Sequence, residues 1–195
     1  MAGRKGKREE RQEALRRYLQ SNPFATDEEL ARRFKVSVPT IRLDRLALGI
    51  PEVRERIMAM AQEARSRMRG VTEAELVGEL VELQPGVMGI SILEVLPEML
   101  IQPTGVARGH YLFAQAHSLA LATVGEEVML TSSARVRYRR PVKMGERVIA
   151  KAVVKVKRET SCLVSVYSRV GQELVFKGQF IIKTPKKNGG GDPCA

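Results

Sequence analysis

The chain is poor in the residues that build disulfides and metal sites. It has two cysteines, Cys162 and Cys194, and two histidines, His110 and His117. Two thiols make neither a disulfide framework nor a zinc pattern. Cys162 sits in an apolar strand pattern and reads as inert core. The histidines share one helical face, but two imidazoles without a third ligand make no metal site. Aspartate is absent between Asp44 and Asp192. An acid–base site built on aspartate therefore has no candidate over most of the chain. Long apolar runs are missing too. The richest stretch, 111–125, contains Gln115, His117 and Ser118 and is too short to span a membrane. Arg4, Lys5, Lys7 and Arg8 are followed by Glu9 and Glu10 instead of an apolar signal region, so a cytoplasmic location is expected. No internal repeat is present.

What is there is a basic, foldable chain. Its 195 residues are 44% hydrophobic and 28% charged, which excludes a disordered polymer. The net charge is +11, with a pI near 10.0. Such a field attracts nucleic acid, anionic membrane or a phosphorylated ligand. Residues 1–50 carry 12 basic and 7 acidic side chains, so the charge is densest in the N-terminal third.

Residues 9–20 carry a narrow apolar stripe, Ala14, Leu15, Tyr18 and Leu19, which predicts a helix stopped by Ser21-Asn22-Pro23. Thr26 and Glu29 form a capping box for a second helix with Leu30, Ala31 and Phe34 as its apolar face. A turn at Lys35-Val36-Ser37 leads to a third helix over about 38–47, with Ile41, Leu43, Leu46 and Ala47 apolar. A longer helix over 52–69 has one continuous stripe: Val53, Ile57, Met60, Ala61, Ala64 and Met68.

From Glu75 onward period-2 patterns dominate. Residues 76–83 and 87–95 flank the turn Gln84-Pro85-Gly86. Ala134, Val136 and Tyr138 alternate with Arg135 and Arg137. Alternation returns over 148–156, 162–166 and 174–182. One Ala-rich helix near 109–123 interrupts the strands and is apolar almost all round, so it is buried. The pattern predicts an antiparallel sheet wrapped around a helix.

Helix, short turn and helix over 27–47 is the spacing of a DNA-reading helix-turn-helix. Its outward side chains must reach bases and phosphates. The expected outward set is Pro39, Thr40, Arg42 and Arg45, with Ser37 as N-cap. Arg42 can approach guanine through paired hydrogen bonds, and Ser37 and Thr40 can bond phosphate or a base edge. The Arg4–Arg8 arm, with Lys5, suits the minor groove or the phosphate track. The bland alternative is a three-helix bundle with a solvated charged face. The segment Val36–Leu46 also resembles the recognition region of DeoR-like bacterial repressors.

The strand-wrapped helix resembles the hot-dog fold, and Arg140–Arg147 resembles its strand-turn-strand element after the central helix. Such domains commonly handle acyl thioesters, as dimers. The order of a helix-turn-helix, a linker helix and a hot-dog domain resembles the FapR family. The matching segments are Thr26–Ala31, Thr40–Leu46, Ile50–Ile57, Ala107–Ala116 and Gly145–Ala152, and the resemblance covers about 5–183. That family represses bacterial fatty acid and phospholipid synthesis genes and is released by malonyl-CoA or malonyl-acyl carrier protein.

The resemblance implies that Arg108 binds the malonyl carboxylate. The chemistry agrees, since a guanidinium entering a tunnel needs a partner and a carboxylate pairs with it in a fork. A structural cap or surface residue is the alternative for Arg108. Gly109 is expected to let the chain approach the ligand closely. Ile101 and Leu130 correspond to the family's acyl or pantetheine path, with plain core as the alternative. His117 stands where the family usually has Asn contacting the acyl group; it can still donate a hydrogen bond. Arg135, Arg137, Arg139 and Arg140 face either CoA phosphates or solvent.

The expected architecture is α+β: an all-α helix-turn-helix domain over 1–50, an amphipathic linker helix over 51–70, a hot-dog effector-binding and dimerisation domain over 71–184, and a disordered tail over 185–195. The expected function is a homodimeric repressor of lipid synthesis genes with operator DNA and malonyl thioester as partners. No catalytic residue, metal, cofactor or membrane contact is expected. A hot-dog acyl-CoA thioesterase with an accessory DNA-binding module is the alternative. It would need a carboxylate near the buried helix, and Glu126 and Glu127 lie past that helix's end.

Overall fold

Period-3.6 patterning fills the first third of the chain and period-2 patterning most of the rest, and the secondary structure follows that division. The computed structural model describes residues 2–68, 71–126 and 129–184. The helices are α1 (Ala2–Ser21), α2 (Asp27–Phe34), α3 (Val38–Ala47), α4 (Val53–Arg65) and α5 (Gly109–Val124). The strands are β1 (Glu79–Gln84), β2 (Met88–Glu94), β3 (Leu100–Ile101), β4 (Val106–Ala107), β5 (Leu130–Tyr138), β6 (Arg147–Arg158), β7 (Ser161–Val170) and β8 (Glu173–Lys183). The chain divides into two compact units, Met1–Met60 and Ala61–Ala195, and the division falls inside α4. The expected tail 185–195 lies outside the described residues.

In the first unit, α1, α2 and α3 bury Leu15, Leu19, Leu30, Ala31 and Ile41 in one small core. Fully burying a leucine or isoleucine contributes roughly 1.5–3 kcal/mol. The capping box is formed: Glu29 N donates to Thr26 Oγ1 at 3.3 Å and Thr26 N to Glu29 Oε2 at 3.0 Å. Lys35 ends α2 in the left-handed conformation, φ 53°, which sets the sharp turn into α3. Helix α1 starts at Ala2, earlier than its apolar stripe predicts. The basic Arg4–Arg8 segment is thus helical backbone and not an extended arm. No proline interrupts it, and Arg, Lys and Glu are good helix formers. Helix α4 keeps the predicted stripe, with Ile57, Ala61 and Ala64 buried, but ends at Arg65 instead of 69. Its start is fixed by Arg56, which donates to the carbonyls of Pro23 (3.0 Å), Ala25 (2.9 Å) and Pro51 (2.6 Å).

The second unit is the expected sheet around a helix. Six antiparallel strands run in the order β1-β2-β6-β7-β8-β5, so β1 and β5 are the edges. Helix α5 buries Leu112, Ala116, Leu119 and Ala120 in a common core with Val148, Ala150, Ala152, Val164, Val166, Phe176 and Phe180. Small side chains bring helix and sheet together. A Cβ on Gly89 would stand only 2.7 Å from Thr123 Oγ1. Gln115, fully buried on α5, donates to the carbonyls of Ser91 (3.3 Å) and Val148 (3.1 Å) and to Ser91 Oγ (3.2 Å). The predicted run 76–83 becomes strand only at Glu79. The β3–β4 pair ahead of α5 has no counterpart in the prediction, because two-residue strands are too short to show a period.

Candidate nucleic-acid interface and effector site

Helix α3 presents a mixed face. Ser37 is its N-cap, accepting from Thr40 N at 3.4 Å and lying 2.9 Å from Thr40 Oγ1. Pro39 follows in the first turn, where a missing N–H costs nothing. Ser37, Pro39 and Arg42 are exposed, while Thr40 is half-buried on the flank of the helix. Arg42 Nε lies 3.4 Å from Asp27 Oδ2.

Arg45 departs from the expected outward set: it is 3% exposed. Its Nε and Nη2 donate to Asp27 Oδ1 and Oδ2 at 2.8 and 2.9 Å, and its Nη1 to the Ile50 carbonyl at 3.1 Å. Burial alone would raise the Asp27 carboxyl pKa. The Arg45 bonds and charge, with Arg42, outweigh that and hold it below the ordinary carboxylate range. Asp44 behaves likewise. It is buried and accepts from Arg11 Nε (2.6 Å) and Gln12 Nε2 (2.8 Å) of α1, which tie α3 to α1. Leu43 and Leu46, two of the apolar positions read for this helix, are 63% and 73% exposed, and Ala47 is exposed as well. The reason is helical spacing. With Ile41 inward, positions 44, 45 and 48 follow it, and 39, 42, 43 and 46 face out. Counting period from Ile41 would have found this; sorting by polarity did not. The outer face therefore adds two leucines that suit thymine methyl groups. Arg4 and Lys5 have helical backbone, and their side chains lie outside the described residues.

In the second unit the predicted ligand residues fall along the seam between α5 and the edge strand β5. Arg108 is the N-cap residue of α5, exposed, with no side-chain cap bond. Its backbone N donates to the Met99 carbonyl at 2.8 Å. Ion pairs of this unit among the described residues engage Arg67, Arg140, Arg147 and Lys157, and none engages Arg108. Arg108 is exposed in the single chain, where the expectation was a guanidinium entering a tunnel. Gly109 follows, and the group crowding its Cα is the Tyr138 ring of β5.

Two turns on, His117 is half-buried. Its Nε2 lies 2.7 Å from Thr131 Oγ1 of β5, and its ring stacks on Phe113 and meets Phe180 at a tilt, each 5.6 Å away, in a three-ring cluster. Burial lowers the imidazole pKa, so the ring is held neutral. The register of β5 shifts between Thr131 and Ser133, and this bulge turns Thr131 inward. Ile101 and Leu130 are 46% and 70% exposed, which removes plain core as their role.

The basic side chains of β5 divide. Arg135 and Arg137 pair with Gln179 and Lys177 on the outer face, away from α5. Arg140 is bound to Glu146 at 3.0 Å and Glu173 at 2.7 Å, a structural ion cluster and not a free phosphate site. Glu126 pairs with Lys157 at 3.2 Å beyond the C-terminal end of α5. There it lines a cavity of about 420 Å³ with Ser66, Arg67 and Pro85, which includes none of the predicted ligand residues. Cys162 is buried and its thiol pKa is pushed up by that burial, as befits inert core. No cluster of His, Cys, Asp or Glu among the described residues is arranged to hold a metal.

Comparison with known proteins decides the family. The transcription factor FapR of Halalkalibacterium halodurans is 49% identical over 178 residues, 91% of this chain and 96% of that protein. That of Bacillus subtilis strain 168 is 48% identical over 180 residues, 91% and 95% of the two chains. The chain belongs to the FapR family of transcription factors. A family model described as Thioesterase superfamily also matches residues 106–175, within the hot-dog unit. Among solved structures, an uncharacterized protein from Pyrococcus horikoshii aligns with a TM-score of 0.56 at 28% identity, over 62% of this chain and 92% of that one. The FapR relatives are transcription factors, which places the chain among regulators and not enzymes. No helix among the described residues is long and apolar enough to cross a membrane.

Proposed function

We propose that this FapR-family chain is a cytoplasmic, homodimeric repressor of fatty acid and phospholipid synthesis genes, released from its operator by malonyl-CoA or malonyl-acyl carrier protein. Arg108 is the observation that carries the effector half. The Arg108 guanidinium, in no ion pair among the described residues, sits at the N-terminus of a 16-residue helix. Free backbone N–H groups and the helix dipole favour an anion there. A malonyl carboxylate would pair with Arg108 in a fork; acetyl and long acyl groups have no carboxylate to offer.

The edge strand β5 supports the dimer. It is nine residues long, mostly exposed, and hydrogen-bonded only to β8. Such an edge templates pairing with another strand. A second copy adding its β5 would extend the sheet and cover Leu130, Tyr138 and the α5–β5 seam, so the thioester arm would run between protomers past Ile101, Leu130 and His117. Paired helix-turn-helix units would read a palindrome through Ser37, Pro39, Thr40, Arg42, Leu43 and Leu46. Helix α4 begins in one unit and ends in the other and is the covalent route between ligand and DNA.

The test uses a duplex selected from a random library by the full chain. Malonyl-CoA should dissociate the complex, and by linkage the duplex should weaken malonyl-CoA binding by the same factor. Arg108→Ala should bind the duplex and ignore malonyl-CoA. Unchanged DNA affinity at saturating ligand ends the proposal.

A further inference from the structure

The first turn of α5 is held from the side by β5. The Tyr138 hydroxyl donates to the Gly109 carbonyl at 3.1 Å. The ring lies against the Gly109 Cα: a Cβ built there would stand 3.1 Å from Cε1, 3.2 Å from Cζ and 3.4 Å from Oη. Phe176 backs the ring edge-on, with centroids 5.2 Å apart. Partial burial raises the phenol pKa, which keeps the hydroxyl a donor. On the other side of Arg108, its own N–H is bonded to Met99. The Arg108 Cα is therefore pinned between a backbone bond before it and a tyrosine clamp just after it. A fixed starting point reduces the conformational freedom that a long side chain must lose to pair with a ligand.

We propose that Tyr138 is the positioning residue of the effector site: its ring and hydroxyl clamp the first turn of α5 and aim Arg108 at the ligand carboxylate. This rests on the malonyl reading above. It also changes the reason a glycine is needed at 109. The space a side chain would take is filled by Tyr138, not by ligand.

Calorimetric titration of the full chain with malonyl-CoA and acetyl-CoA tests it. Tyr138→Phe keeps the ring and removes one hydrogen bond, so malonyl-CoA affinity should fall about 3–10-fold. Acetyl-CoA affinity should not move, because acetyl has no carboxylate for Arg108. Gly109→Ala brings a Cβ to 3.1 Å from the ring, which must give by a few tenths of an ångström, and should cost on the order of tenfold. In a Tyr138→Leu background, which leaves room, the same Gly109→Ala should cost several-fold less. A tyrosine with a merely structural role would lower both ligands equally under Tyr138→Phe, and that result overturns the proposal. So does a double-variant loss equal to the product of the single losses. A wild-type chain blind to malonyl-CoA removes the effector reading and the clamp together. A wild-type chain that prefers malonyl-CoA, with an unchanged malonyl-to-acetyl ratio in Tyr138→Phe, removes the clamp alone.

Discussion

Replacing Arg45 separates a scaffold arginine from a reading one. Arg45→Leu removes the two bonds to Asp27, at 2.8 and 2.9 Å, and the bond to the Ile50 carbonyl. The Asp27 side chain, 15% exposed, is left with Arg42 Nε at 3.4 Å. Deleting one partner of a fully buried pair costs roughly 3–5 kcal/mol. Residual water contact and Arg42 reduce that to about 2–3 kcal/mol. Each kcal/mol moves the melting temperature of a domain of this size by roughly 4–8 °C, so the first unit should melt about 10–20 °C lower. Arg42 is exposed and has one loose ion contact, so Arg42→Ala should change stability by less than about 0.5 kcal/mol while weakening DNA binding. Thermal circular dichroism, with fluorescence polarisation on a selected duplex run well below the melting midpoint, separates the two effects. Asp27→Leu combined with Arg45→Leu should recover much of the loss, since no charge is then stranded. If Arg45→Leu melts like the wild type yet loses its base preference, Arg45 reads DNA and the scaffold assignment is wrong.

Two further outcomes follow from the same geometry. Leu43→Ala and Leu46→Ala should leave stability within about 0.5 kcal/mol, because both side chains are exposed. Replacing operator thymines by uracil should cost the wild type about 0.8 kcal/mol per lost methyl contact, roughly fourfold, and the matching leucine variant nothing. Equal uracil penalties in both would show that the leucines do not touch methyl groups. Burial lowers the His117 pKa from 6.5, so the folded ring binds its proton less readily than the unfolded one. Its contribution is complete above pH 6.5 and is lost as pH falls through the folded value. Urea midpoints should therefore drop more steeply with acidification in the wild type than in His117→Asn; parallel curves would contradict this.

Local signals explain how much of the fold is legible in the sequence. The Thr26–Glu29 capping box, the Ser37 N-cap, the α4 stripe and the alternation of Ala134, Val136 and Tyr138 each arise from residues close in the chain, where periodicity applies directly. The buried α5 shows itself by being apolar all round. Elements without a period escape. The β3–β4 pair is too short, and the basic start of α1 has helix propensity without an apolar stripe.

By itself the sequence determined the α+β architecture, the helix-turn-helix, the helix wrapped by strands, and membership of a regulator family through motifs in both parts of the chain. Helical period alone could have given the facing of α3, but tertiary structure decided that two charged side chains are tolerated on its buried face. Polar residues are normally outside, but Asp44 and Arg45 go inside because Arg11, Gln12 and Asp27 meet them there, leaving Leu43 and Leu46 exposed. It also decided what stands against Gly109, what holds His117, and that Arg140 is committed to Glu146 and Glu173. Most of these contacts join separate elements, and Arg140 meets Glu146 across a turn; all are set by packing and charge pairing that residue type alone does not encode.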